Sequence, residues 1–168
     1  MREGNPGRVR YASEGARPSS EPSGTAYAFI EPAGAFLAGH VGWGFKQRDG
    51  RFYYGSTQNW TRSMPYVEAG DDNGWWAEQG NFAAMRLAFR IRNYYWFKAI
   101  PVAGFLPEVA RLKADATRGM GYGLLGNNCM DHAFKVLEAY GTKNIPWPVA
   151  AVICNVWFSL IQVQRTQV

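Results

Sequence analysis

The strongest constraint on the fold is an alternating segment that predicts a two-stranded antiparallel hairpin. Within residues 35–46, the bulky apolar residues Val41, Trp43 and Phe45 alternate with His40 and two glycines, as on a strand with one buried face. The pair Asp49-Gly50 follows with the residue types that hairpin turns favour, and residues 51–57 supply the return strand. We therefore expect His40 on a strand of an antiparallel sheet.

A second segment, residues 128–140, predicts an amphipathic helix. Asn127 or Asn128 fits its N-cap, and Gly141 fits the left-handed position that ends many helices. This places Cys129 in the first helical turn. Free backbone N–H groups and the helix dipole favour an anion there, so they lower the pKa of a thiol.

The remaining patterns predict one domain of the α+β class, in which an antiparallel sheet packs against the helix that carries Cys129. The 168 residues suffice for one core but not for two. Residues 1–24 are rich in Gly, Pro, Ser, Arg and Glu and are expected to be a disordered tail ahead of a domain over 25–168. The other predicted elements are strands over 25–31 and 93–102 and helices over 75–90 and 107–118.

Composition argues against several classes of function. The net charge of +5 is mild and most basic residues are scattered, which is not the signature of a nucleic-acid-binding protein. The long uncharged segment 145–163 contains Pro146 and Pro148, so we expect it to dock on the core and not to insert stably into a membrane. An apolar leader is not visible near the N-terminus, so we expect a cytoplasmic protein, with non-classical export still open.

The chain has two cysteines and two histidines, and their spacing does not fit a structural zinc site. No metal or other cofactor is therefore expected. Cys154 lies in an apolar run and fits a small core residue. His132 follows Cys129 by three residues on the predicted helix and is a rival base, although a structural or surface role is the preferred interpretation.

Cys129 and His40 together fit a nucleophile and its base. The thiolate is the reactive form of cysteine, and a neighbouring imidazole stabilises it as an ion pair. Ala38, Gly42 and Gly44 share the strand face of His40, and such small residues would let the helix of Cys129 approach closely. Each of the two reactive residues alone is more often structural, but the pair on these elements predicts catalysis.

These segments resemble a known family. The runs GHVGWGF at 39–45 and FYYGS at 52–56 are similar to the histidine hairpin of the permuted NlpC/P60 (papain-like) superfamily. The run NCMDHAF at 128–134 is similar to its nucleophile helix. That superfamily includes the lecithin retinol acyltransferase-like thiol enzymes, and its permuted members have the histidine before the cysteine, as here.

The resemblance implies that Cys129 is the nucleophile and His40 the general base. It also implies a third polar residue on the next strand, which orients the imidazole. Lecithin retinol acyltransferase-like enzymes use a second histidine there, which this chain lacks. Tyr54 and Ser56 are the candidates on that strand and Gln58 is a further option, while a Cys-His dyad remains an alternative.

Acyl transfer also needs donors for the oxyanion and a cleft for the substrate. The backbone N–H of Cys129 is the natural first donor, and the side-chain amides of Asn127 and Asn128 are candidates for the second. Trp43 and Tyr122 are expected to line the substrate cleft.

The leading hypothesis is a cysteine hydrolase that cleaves an amide or peptide bond through a thioester at Cys129, with His40 moving the proton. Peptidoglycan peptides are a familiar substrate class of the superfamily. A second hypothesis is a lipid acyltransferase or thioesterase that uses the same dyad on an acyl ester. A third is a non-catalytic binding domain that retains the fold.

Overall fold

The computed structural model describes residues 23–59, 66–148 and 153–168. They form an α+β fold with one antiparallel six-stranded sheet and helices on both of its faces. The strands are β1 (Ser23–Glu31), β2 (His40–Lys46), β3 (Phe52–Thr57), β4 (Tyr66–Val67), β5 (Trp75–Gly80), β6 (Trp96–Ala103), β7 (Tyr122–Gly123) and β8 (Arg165–Gln167). The helices are α1 (Phe82–Arg90), α2 (Pro107–Thr117), α3 (Cys129–Tyr140) and α4 (Cys154–Leu160).

The large sheet has the strand order β5-β3-β2-β1-β6-β8, and β4 pairs with β7 in a separate ribbon. Strand alternation divides the core into two layers. The face with Val41, Trp43 and Phe45 packs against α2, α3 and α4. The opposite face, with Phe29 and Tyr54, packs against α1. β2 thus has helices on both sides, so both of its faces are buried.

The strand predicted over 35–46 is wrong in its first part. Residues Ala35–Leu37 form a 3-10 turn, and β2 begins at His40. Ala35 and Leu37 have φ angles of 44° and 74°, which are incompatible with an extended strand. The hairpin turn after β2 and the return strand β3 are confirmed.

The helix predicted over 75–90 is also wrong in its first half. Residues 75–80 form β5, which pairs with β3, and α1 starts only after Asn81. The side-chain oxygen of Asn81 accepts a hydrogen bond from the N–H of Ala84 at 2.8 Å and so caps α1. The elements predicted over 107–118 and 128–140 are confirmed within a residue, and the strand predicted over 93–102 begins three residues later.

The glycines of β2 make room for α1, and not for α3 as the sequence predicts. A Cβ at Gly42 would lie 2.4 Å from Cε1 of Phe89, and a Cβ at Gly44 would lie 2.8 Å from Sδ of Met85. Both contacts come from α1, whereas α3 packs on the other face of the sheet. The glycines therefore admit α1, and Cys129 approaches His40 without them.

The segment over 145–163 docks on the core, as predicted, although its residues 149–152 lie outside the described part. Its helix α4 buries Trp157 and Phe158, and Ile161 is buried just after it. Within the described residues, none of the helices has both the length and the apolar character that crossing a membrane requires. Of the tail predicted over 1–24, residues 1–22 lie outside the described part, while Ser23 and Gly24 belong to β1.

Candidate active site

Cys129 owes its position to a capping box at the start of α3. Oδ1 of Asn128 accepts hydrogen bonds from the N–H groups of Met130 and Asp131, at 2.9 and 3.2 Å. In return, Oδ2 of Asp131 accepts the N–H of Asn128 at 3.0 Å. Cys129 is the first residue of the helix and is 2% exposed. Its sulfur is therefore held at a helix N-terminus in a largely dry environment.

His40 is the first residue of β2 and is buried. It follows Gly39, which has a φ of +88°, a conformation that favours glycine. Gly34 faces the histidine from the preceding turn, and a Cβ there would lie 2.7 Å from Cβ of His40. The chain reverses tightly in front of β2, and the absence of a side chain at Gly34 leaves room for His40, whereas a Cβ at Gly39 would lie 2.5 Å from Oδ1 of Asn155.

Ser56 on β3 holds one nitrogen of that imidazole. Oγ of Ser56 lies 3.1 Å from Nε2 of His40 and 2.8 Å from the carbonyl oxygen of Val41. A hydroxyl has a single proton, and a carbonyl can only accept. Ser56 therefore donates to Val41 and accepts from Nε2–H of His40. This fixes the tautomer in which Nδ1 is the unprotonated nitrogen.

The sulfur of Cys129 is surrounded by groups that stabilise its anion. A hydrogen bond from Cys154 lowers the pKa of Cys129 most, burial opposes it, and the charge and hydrogen bond of the His40 imidazole lower it further. The backbone N–H of Val41 adds a smaller contribution. The net result is a Cys129 pKa well below that of an ordinary thiol. The structure thus brings together the nucleophile and base expected from sequence.

Cys154 is the neighbour that sequence reasoning assigned only to the core. Its Sγ lies 3.5 Å from Sγ of Cys129, and the hydrogen bond to Cys129, together with burial, raises the pKa of Cys154. The next residue, Asn155, fixes α4 to the turn in front of His40, because its amide donates at 3.0 Å to the carbonyls of Pro32 and Leu37. No sequence signal pairs the two cysteines, since 25 residues separate them.

Tyr122 on β7 is the second expected residue that reaches Cys129. Its hydroxyl lies close to both the sulfur and the backbone N–H of Cys129. Burial, followed by the charge of Cys129, raises the pKa of Tyr122, so the phenol keeps its proton at neutral pH. A protonated hydroxyl beside the nucleophile can donate to an oxyanion.

Tyr94 was not expected at the site. Its ring centroid lies 5.7 Å from that of His40, and the residue is 2% exposed. The hydroxyl lies close to Ser56 and Gln58, but it makes no hydrogen bond of good geometry with a described residue. Burial raises the pKa of Tyr94 well above its usual value. In the sequence it is one of several consecutive aromatic residues, which gives no sign of this position.

Two expected site residues lie elsewhere. Tyr54 pairs with Gly44 and packs toward Phe89 at a centroid distance of 6.1 Å, on the sheet face that α1 covers. It is one side-chain repeat farther from His40 than Ser56 is, because β3 runs antiparallel to β2. Trp43 is fully buried in the main core and does not line a cleft.

The two amides expected at the oxyanion are committed to other bonds. Asn128 caps α3 through its oxygen, and its Nδ2 donates to the carbonyl of Leu124 at 2.9 Å. Asn127 donates through Nδ2 to the carbonyl of Met120 at 2.7 Å, and its Oδ1 lies 2.9 Å from Nε2 of His132. The expectation that these amides bind an oxyanion is therefore not supported by their positions.

Both ring nitrogens of His132 contact polar side chains, one on β3 and one just before α3. Nδ1 lies 2.9 Å from Oγ1 of Thr57, and Nε2 lies 2.9 Å from Oδ1 of Asn127. Burial and the charge of Lys135 lower the pKa of His132 to about 4, so the ring is neutral at neutral pH. Since both ring nitrogens are engaged, the preferred structural role of His132 agrees with its contacts.

Among the described residues, no three or more His, Cys, Asp or Glu side chains are grouped so that they would hold a metal ion. Comparisons of the chain with protein-family models, with curated proteins and with solved structures found no match. The chemistry of the site is therefore inferred from its own residues.

Proposed function

We propose that this chain is a cysteine-dependent hydrolase that cleaves an amide or peptide bond through a thioester intermediate. One observation carries the proposal: a continuous chain of contacts runs from the Cys129 sulfur through the imidazole of His40 to Ser56 and the carbonyl of Val41. Such a nucleophile, base and orienting group is the arrangement that covalent acyl transfer needs.

Proton transfer follows from the tautomer of His40. Nε2–H is bound to Ser56, so Nδ1 is the nitrogen that accepts the proton of the Cys129 thiol. The resulting thiolate and imidazolium stabilise each other, and the N-terminus of α3 favours the anion. Ser56 thus has the orienting role that the sequence left open between several residues.

In the acylation step, the thiolate attacks the carbonyl carbon of the substrate, and the carbonyl oxygen gains the negative charge. The backbone N–H of Cys129 and the hydroxyl of Tyr122 lie beside the sulfur, and they would stabilise that oxyanion. His40 then returns the proton to the leaving amine, the C–N bond breaks, and the thioester remains.

In the deacylation step, His40 takes a proton from water, and the hydroxide attacks the thioester carbonyl. The C–S bond breaks and the Cys129 thiolate leaves, which restores the ion pair with His40. A different acceptor, such as an amine or alcohol, would make the same site an acyltransferase.

A permuted papain-like design is part of the proposal. The chain order, with His40 on a hairpin strand before Cys129 on a helix, agrees with the permuted members that the sequence resembles. An antiparallel sheet with α3 packed against β2 is the architecture that such a design requires.

A second candidate, a thioesterase or lipid acyltransferase, is favoured by the surface near the two reactive residues. Leu37 lies three residues before His40 and is 75% exposed. Leu125 lies four residues before Cys129 and is 81% exposed. Exposed apolar side chains on the loops that lead into both residues suit an acyl chain better than a polar peptide.

The test is a substrate panel of peptides, isopeptides and lipid esters, assayed with the wild type and with Cys129→Ala. Amide cleavage that is lost in Cys129→Ala supports the leading proposal, and ester cleavage with the same dependence supports the second candidate. Turnover that persists in Cys129→Ala would place the chemistry elsewhere. Specific binding without turnover would support a binding domain.

A further inference from the structure

The two cysteines of this chain meet at the candidate nucleophile. Cys129 and Cys154 are its only cysteines, both are free thiols, and their sulfurs are 3.5 Å apart. Each is the first residue of its helix, α3 or α4. The hydrolytic cycle described above uses one of these sulfurs and requires no covalent chemistry of the other.

We propose that Cys129 and Cys154 are a site of reversible oxidative modification, at which a hydroperoxide converts the two thiols into an intramolecular disulfide. This inference rests on the positions of the two sulfurs and not on the hydrolase proposal. Because the disulfide would consume the sulfur of Cys129, it would also switch off any activity that depends on that thiolate.

The geometry is close to what a disulfide requires. An S–S bond is about 2.05 Å long, so the two sulfurs must approach each other by about 1.5 Å. Both residues lie at helix ends, where the backbone has fewer intrahelical hydrogen bonds than in the interior. Asn155, the residue after Cys154, ties α4 to the turn before β2 and so keeps Cys154 beside Cys129.

The two thiols also differ in the way that stepwise oxidation needs. Cys129 receives hydrogen bonds from Cys154 and His40, which lower its pKa and give it thiolate character. The pKa of Cys154 is raised by its bond to Cys129 and by burial, so it stays protonated. Cys129 is therefore the sulfur that attacks the hydroperoxide, and Cys154 is the sulfur that then forms the disulfide with it.

In the first step, the thiolate of Cys129 attacks one oxygen of the hydroperoxide. An S–O bond forms, the O–O bond breaks, and the alkoxide or hydroxide that leaves takes up a proton. In the second step, the sulfur of Cys154 attacks the sulfenic acid. The S–S bond forms, the S–O bond breaks, and the leaving hydroxide takes the Cys154 proton as water. Two electrons pass from the two sulfurs to the peroxide, and an external dithiol reverses the change by exchange.

Two neighbouring thiols also have a simple packing interpretation, since cysteine is a common small core residue. In that case both sulfurs would be inert toward peroxide, or would oxidise separately. The two interpretations differ in the product of oxidation, which mass spectrometry identifies without any assay of hydrolysis.

The experiment treats the full chain with hydrogen peroxide, quenches it, and measures intact mass, free thiols after denaturation, and disulfide-linked peptides. Cys154→Ser and Cys129→Ser are the matched variants, with circular dichroism as the check on folding. A 1,3-dione probe that traps sulfenic acid is included in a parallel set of samples.

For the wild type we expect loss of both thiols, a Cys129–Cys154 linked peptide, and full recovery of thiols with dithiothreitol. In folded Cys154→Ser, Cys129 should be trapped by the dione probe and should then proceed to sulfinic acid, which dithiothreitol does not reverse. Wild type that yields sulfinic or sulfonic acid at Cys129 without a linked peptide, or that keeps both thiols, would overturn the proposal. A linked peptide in a chain that shows no hydrolysis would support the disulfide and refute only the proposed hydrolase.

Discussion

Oγ of Ser56 lies 3.1 Å from Nε2 of His40 and donates its own proton to the carbonyl of Val41 at 2.8 Å. This relationship selects the His40 tautomer in which Nε2 carries the proton and Nδ1 does not. In the proposed mechanism Ser56 orients the imidazole, because a hydroxyl anchored by a backbone carbonyl can only accept from it.

Ser56→Ala tests this relationship. Without the acceptor, the imidazole loses its fixed orientation, and we expect kcat/KM to fall on the order of 10- to 100-fold while His40 remains as a weaker base. Steady-state kinetics on whichever substrate the panel identifies provides the measurement.

Tyr54→Phe is the matched control for Ser56→Ala, because Tyr54 shares the strand face of Ser56 but packs toward Phe89. It should retain wild-type kinetics. If Tyr54→Phe were the damaging substitution and Ser56→Ala were harmless, the orienting role would belong to Tyr54.

Cys154→Ala tests the hydrogen bond between the two sulfurs. Cys154 makes the largest contribution to the lowered pKa of Cys129, so its removal should move that pKa upward while His40 still holds it below an ordinary value. The pH dependence of Cys129 alkylation by iodoacetamide measures the change. An unchanged pH profile would show that Cys154 is a packing neighbour and not a donor.

Gly34→Ala tests the space around the base. The added Cβ would lie 2.7 Å from Cβ of His40, so the histidine must shift. We expect a loss of stability of about 1–3 kcal/mol and, because His40 is the proposed base and its displacement would be costly, a fall in kcat/KM of about 100-fold. Urea unfolding and steady-state kinetics measure the two effects.

Gly119→Ala is the control for this substitution, since a Cβ there meets no atom within 4 Å. It should change stability by less than about 0.5 kcal/mol and leave turnover unaffected. Equal effects of the two substitutions would mean that the Gly34 contact does not position His40.

The lowered pKa of His132 predicts how the free energy of unfolding depends on pH. Its pKa is lowered from 6.5 to about 4, so the unfolded chain binds a proton between these values that the folded chain does not. The neutral imidazole of His132 therefore contributes to the free energy of unfolding, and this contribution is fully present above pH 6.5. It is lost as the pH falls toward 4, and the total loss is about 3 kcal/mol.

The measurement is the free energy of unfolding of the wild type and of His132→Gln across this pH range. The difference between the two should be greatest near pH 7 and should shrink toward pH 4. A difference that stays constant with pH would contradict a neutral imidazole whose two nitrogens are both hydrogen-bonded.

Local signals account for what could be predicted from the sequence. The N-cap residue Asn128 and the left-handed Gly141 define α3, and both act within a few residues of the helix ends. Alternation together with the Asp49-Gly50 turn similarly defines the hairpin that carries His40. These two elements sufficed to place Cys129 at the start of a helix and His40 on a strand of the hairpin.

The rest depends on contacts between distant parts of the chain. The choice of Ser56 over Tyr54 follows from the register of β2 and β3, in which Gly42 pairs with Ser56. The meeting of Cys154 with Cys129 depends on how α4 docks, and nothing near either cysteine encodes it. The local pattern of residues 75–80 predicts a helix, but their pairing with β3 decides their conformation and makes them a strand.

The most direct test of the account is the rate at which Cys129 is alkylated between pH 5 and 9, followed at its own peptide in the wild type and in His40→Ala. The account predicts a wild-type midpoint well below the value of about 8.5 that is usual for free cysteine, and an upward shift when the imidazole is removed. A wild-type midpoint at the usual value that His40→Ala leaves unchanged would contradict it.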